Sequence, residues 1–165
     1  MLRPVDAAKV YKALKDDLVN GYRSSGDSAA VVYSTWQRYN TAPYRSATHG
    51  LRYVNNYANE LASDYGRYEQ AGRLPVGAIV AKDSFSISLE GERRPGPLFV
   101  MEKMEAGFNY VSGDWRYSMI MPDGEVFGMT KGFNSERVQY CIGCHLAKED
   151  QDHLFFLPES VRVTP

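Results

Sequence analysis

The chain has 165 residues, with 19 basic against 20 acidic side chains, a net charge of −1 and 44% hydrophobic residues. That length and composition suit one globular domain, taken as residues 1–165, with a core large enough to need no disulfide staples. A near-neutral balance removes the attraction expected of a nucleic-acid or anionic-membrane partner. No apolar run approaches the roughly 20 residues of a membrane-spanning helix.

The first element is a helix, capped by Asp6, with Ala7, Tyr11, Leu14, Leu18 and Tyr22 on one face and a stop at Ser24-Ser25-Gly26-Asp27. The stretch from Ala29 to Tyr39 fits both a strand and a helical stripe. After the loop at Asn40–Pro43, Leu51–Val54 reads as a short strand. Asn55 or Asn56 then caps a second helix carrying Tyr57, Leu61, Tyr65 and Tyr68, which ends at Gly72 and Pro75. From there the period falls to two. Strands are expected over Val76–Ser88, Leu98–Met104, Trp115–Met121 and Glu125–Met129, the last two joined by a turn at Pro122-Asp123-Gly124. Arg93–Pro97 reads as a loop. The fold class is therefore α+β: N-terminal helices, then a mainly antiparallel sheet.

The only two cysteines stand in Cys141-Ile142-Gly143-Cys144-His145. C-x-x-C-H is the attachment signature of c-type haem: each thiol adds across a vinyl group, and the adjacent imidazole becomes an iron ligand. Small Gly143 lets the backbone lie close to the porphyrin edge. A zinc site of Cys141, Cys144, His145 and His153 is an alternative, although its histidines are unusually far apart. A thioredoxin-like thiol pair is another, but that motif belongs early in a βαβ unit. Covalent haem attachment takes place outside the cytoplasm, so a periplasmic location is expected, with a secretion signal removed ahead of Met1.

The motif comes late. Twenty residues follow His145 and none is methionine, unlike small electron-transfer cytochromes c, which have a downstream methionine ligand. The strand-like middle also disagrees with a four-helix haem bundle.

Further residues carry a family resemblance. Leu74-Pro75-Val76-Gly77-Ala78-Ile79-Val80-Ala81-Lys82 resembles a "P-x-G-(three apolar or small)-x-Lys" strand. With His49–Asn55, Gly113–Tyr117 and the Cys141–His145 motif in that order, the chain resembles the cytochrome P-460 family. Close structural relatives of that family are the β-type cytochromes c prime. The resemblance implies haem c held by Cys141 and Cys144, with His145 on the metal and Lys82 joined to a porphyrin meso carbon. It implies hydroxylamine oxidation to nitric oxide or nitrous oxide, electrons leaving to an external acceptor such as a small cytochrome c, and a homodimer. The sister branch lacks the cross-link and binds nitric oxide or other small gases on a five-coordinate haem. A plain electron carrier is the third reading.

The resemblance gives Glu136, five residues before Cys141, the role of proton acceptor, with Asp83 and Glu102 as weaker substitutes. The apolar neighbours of Lys82 point that lysine inward, where burial would favour its reactive neutral form. Arg52 is a candidate for a haem propionate and His49 for a sixth ligand or proton relay. His153 reads as part of a solvated turn, and Met101, Met104, Met119, Met121 and Met129 as core. Phe85, Phe108, Phe127 and Phe133 also read as core, with one or two expected to line the distal face.

Overall fold

A computed structural model describes residues 1–164. Helix α1, Pro4–Arg23, is amphipathic: Ala7, Val10, Tyr11, Leu14, Leu18 and Tyr22 are its buried stripe. Proline at its first position supplies the helical φ, and Arg3 is the residue before it. Asp6 is thus inside the first turn, paired with Arg3 at 2.7 Å, and is not the cap. The ambiguous stretch resolves into α2, Ser28–Val32, capped by the Asp27 carboxylate, followed by a 3-10 turn and the short strand β1, Gln37–Arg38.

Among the described residues eight strands form one antiparallel sheet: β1, β2 (Tyr44–Arg45), β3 (Tyr53–Ala58), β4 (Ile79–Ile87), β5 (Arg93–Pro95), β6 (Leu98–Lys103), β7 (Trp115–Ile120) and β8 (Val126–Met129). The main order is β1-β3-β4-β6-β7-β8; β2 shares the outer edge of β3, and β5 shares an edge of β4 with β6. The expected β7–β8 hairpin is present, closed by Met121 N–H on the Glu125 carbonyl at 2.8 Å.

Two expectations fail here. Asn55, Asn56 and Tyr57 lie inside β3, and Asn59 caps the 3-10 segment Glu60–Gln70 instead. The pairing of β3 on both edges overrides the local preference of Asn for a cap. Arg93–Pro95 is a short strand against Phe85–Ile87 rather than loop. Its proline is tolerated because the strand is an edge.

The two faces of the sheet have different covers. Helix α1 packs on one face with Tyr53, Tyr57, Ala81, Phe85, Leu98 and Ile120. Each fully buried large apolar side chain there contributes roughly 1.5–3 kcal/mol. The other face meets the C-terminal segment, where Val80, Met101, Trp115 and Tyr117 cluster with Ile142, Leu154 and Leu157. That segment contains α3, Gln139–His145, and with it the Cys-x-x-Cys-His motif. No helix among the described residues is long and apolar enough to cross a membrane.

Candidate haem site

Register alone lays down the floor of a cavity. Lys82 opposes Phe99, which opposes Met119; one row on, Val80 opposes Met101, which opposes Tyr117. Directly opposed residues share a face, and all six side chains line one cavity of about 240 Å³. Helix α3 forms the facing wall. Spacing of i, i+3 and i+4 puts Cys141, Cys144 and His145 on one side of that helix, and all three line the same cavity. Thr48, His49, Gly50 and Arg52 complete it from the loop before β3, with Tyr140 of α3 and Phe155 from the segment after it.

His145 is buried and held by a defined bond. Its Nδ1 lies 2.6 Å from the His153 carbonyl oxygen. A carbonyl can only accept, so Nδ1 carries the proton and the Nε2 lone pair is left free as a ligand. Burial, then the charge of Lys82, lowers the His145 pKa to about 4, which keeps the ring neutral as a ligand must be. Tyr117 and Phe155 flank the ring at 5.1 Å.

Lys82 is 8% exposed. Desolvation lowers its pKa to about 8. Among the described residues, no hydrogen bond or ion pair engages its amine. Arg52 Nε and Tyr117 Oη are likewise buried without a partner. Cys141 and Cys144 are free thiols, and burial pushes Cys141 up to about 11. A cavity with two thiols, a ligand-ready imidazole, an apolar floor and two lining residues with unsatisfied polar atoms fits a haem. Its orphaned donors are the kind that a bound group satisfies.

The cytochrome P460 family model matches residues 30–156, which include every residue lining the cavity. The chain belongs to the cytochrome P460 family. Membership makes it a haem protein; the match begins after α1, so that helix is outside it. No curated protein matches the chain.

Other residues fall differently from the sequence expectation. Glu136 is exposed on the 3-10 turn Ser135–Val138 and is not among the lining residues. Asp83 faces away, bound on the α1 side to Tyr11 and Tyr33, and Glu102 is paired with Arg116. No carboxylate lines the cavity among the described residues. His49 does line it; Ser46 Oγ lies 2.9 Å from its Nδ1, and burial, followed by the charge of Lys82, lowers its pKa to about 2. His153 is buried rather than solvated. Of the phenylalanines, Phe85 is core on the other face, Phe133 is exposed, and the cavity uses Phe99 and Phe155 instead. Met101 and Met119 are lining residues, and Met104 faces a separate outer groove. Phe99 and Met119 are legible only through the register, since Lys82 places its partner Phe99 and Phe99 in turn places Met119.

Proposed function

We propose that the protein is a periplasmic c-type cytochrome that oxidises hydroxylamine. In this reading Cys141 and Cys144 carry the porphyrin by thioether bonds, His145 binds its iron through Nε2, and Lys82 is joined to a meso carbon. The bound haem supplies an electron-accepting iron centre that passes electrons to an external acceptor such as a small cytochrome c.

The observation that carries the proposal is the Lys82 amine, buried, without a partner, and lining the same cavity as the C-x-x-C-H motif. With a pKa near 8, about one amine in ten is neutral at pH 7, far more than for an ordinary lysine. Only that neutral form has the lone pair that bond formation needs; the new C–N bond would replace the meso C–H and an amine N–H, releasing two protons and two electrons to an external two-electron oxidant such as a peroxide. Arg52 offers a free N–H to a propionate or an anionic ligand. Val80, Phe99, Met101 and Met119 make an apolar wall that restricts the substrate to a small molecule. Protons released as hydroxylamine becomes nitric oxide or nitrous oxide must leave this wall, and the exposed Glu136, four residues before the lining residue Tyr140, would take them once they reach solvent. A homodimer is expected from the family.

A second reading has its own support. A cavity without a lining carboxylate suits a five-coordinate haem that binds nitric oxide or another small gas without turning it over. Mass-spectrometric mapping of the proteolysed holoprotein separates the two. A Lys82 peptide that travels with the Cys141–Cys144 haem peptide and resists tryptic cleavage supports the enzyme. An ordinary Lys82 peptide, with haem on the cysteines alone and no reduction of an acceptor dye by hydroxylamine, supports gas binding.

A further inference from the structure

The carbonyl that holds His145 belongs to an unusual turn. Asp152 and His153 are consecutive non-glycine residues in the left-handed region, at φ 56° and 60°. Such a pair persists only where its surroundings hold it. The restraints converge on Asp152. Its carboxylate accepts from Lys103 Nζ at 2.5 Å and from the Leu74 N–H at 2.9 Å. Its carbonyl accepts from Trp115 Nε1 at 2.8 Å. His153 N–H in turn donates to the Lys148 carbonyl at 2.7 Å.

Lys103 and Asp152 are both more than nine-tenths buried, whereas every other ion pair among the described residues is half-buried or exposed. A buried pair adds little net stability but fixes position, because either charge left alone is costly. Its location matters too. Lys103 opposes Trp115 one row beyond Met101 and Tyr117 on the cavity face, with its ammonium 4.6 Å over the indole. The turn is therefore referenced to the same sheet that presents Lys82.

We infer that Lys103, Asp152 and Trp115 form a positioning clamp that fixes the His153 carbonyl on His145 Nδ1 and thereby sets the strength of the His145 bond to iron. The inference rests on the haem reading of the Cys141–His145 motif. An imidazole donating Nδ1–H to a fixed acceptor gains anionic character and becomes a stronger ligand, which favours the ferric state. A loosened carbonyl weakens that donation.

The test uses holoprotein. The double variant Lys103→Met/Asp152→Asn removes both charges together and keeps a residue at 152 that tolerates the left-handed region. Its reduction potential should rise by about 59 mV, an approximately tenfold shift of the ferric–ferrous equilibrium. The ferrous iron–histidine stretch in the resonance Raman spectrum should move to lower frequency. A lower melting temperature with potential and stretch unchanged overturns the clamp, since a purely structural pair would behave that way. If the double variant does not fold, Trp115→Phe, which removes the indole N–H that bonds the Asp152 carbonyl along with part of a buried ring, takes its place: the same shifts in potential and stretch support the clamp, and their absence overturns it. A wild-type chain that matures without haem on Cys141 and Cys144 overturns both the haem reading and the clamp. A haem-loaded chain with an unmoved potential overturns the clamp alone.

Discussion

Lys82 and Asp83 are neighbours on β4, both buried, and the strand turns them to opposite faces of the sheet. On the α1 face Asp83 is fully answered: Tyr11, Tyr33 and Asn55 donate to it at 2.6, 3.1 and 2.9 Å, and Tyr57 joins through Tyr11. On the α3 face Lys82 has no partner among the described residues, and the three buried side-chain polar atoms left unpaired there belong to Arg52 and Tyr117, which line the cavity, and to His153, which lines the outer groove. Both faces carry a buried charge at a desolvation cost. One face meets that cost with its own hydrogen bonds and is architecture. The other leaves it unmet, which marks where a cofactor belongs.

The largest effect expected from breaking this contrast is functional. Lys82→Met should abolish the lysine-linked haem peptide and bring hydroxylamine turnover to background, while the fold survives, as peptide mapping and acceptor-dye reduction would check. Asp83→Ala should do the reverse. Three donors lose a buried acceptor, at roughly 1–3 kcal/mol each, so urea denaturation should show a loss of about 4 kcal/mol. The visible spectrum of the folded variant should stay that of wild type. A spectrum that changes with Asp83 and not with Lys82 would break the assignment of the two faces.

Legibility followed the same division. Strands β4, β6, β7 and β8 were readable because alternation, glycine and proline mark them without help from distant residues. Lys82 was readable as inward because both sets of its strand neighbours are apolar. Asn55 and Asn56 misled because a cap preference is local, whereas their partners, Asn40 and Asp83, and Tyr44 and Tyr65, come from other elements. The bond between Lys103 and Asp152 spans 49 positions with no periodic signature. Sequence spacing therefore gave no access to what holds His145, and the polar run before His153 looked solvated.

A pH series sharpens the contrast further. Desolvation lowers Lys82 to about 8 in the folded state, below its ordinary value of 10.5. Below pH 8 both folded and unfolded chains bind the proton, and the folded chain bears the full penalty of a buried ammonium. Between about 8 and 10.5 the unfolded chain binds more protons, so stability rises with pH. In chain matured without haem, Lys82→Met should therefore gain up to about 3 kcal/mol at pH 7, and the gain should vanish by pH 10.5. A constant difference across the series would show that the amine finds a partner in solution.

Glu136 should give the smallest change. A base that touches the reacting atoms contributes about 10²–10⁴-fold, but it must face the cavity, and Glu136 is exposed on the turn before α3. Its carboxylate can relay protons only after they have passed the mouth, and solvent there can do the same work. Glu136→Gln should lower hydroxylamine turnover by less than about tenfold, with buffer concentration restoring most of the loss, since a diffusing base replaces a relay at the surface better than one inside an apolar wall. A hundredfold loss that buffer does not restore would mean that the turn carrying Glu136 closes over the cavity when haem and substrate are bound. The α3 face would then be completed by a residue that the sequence points to directly.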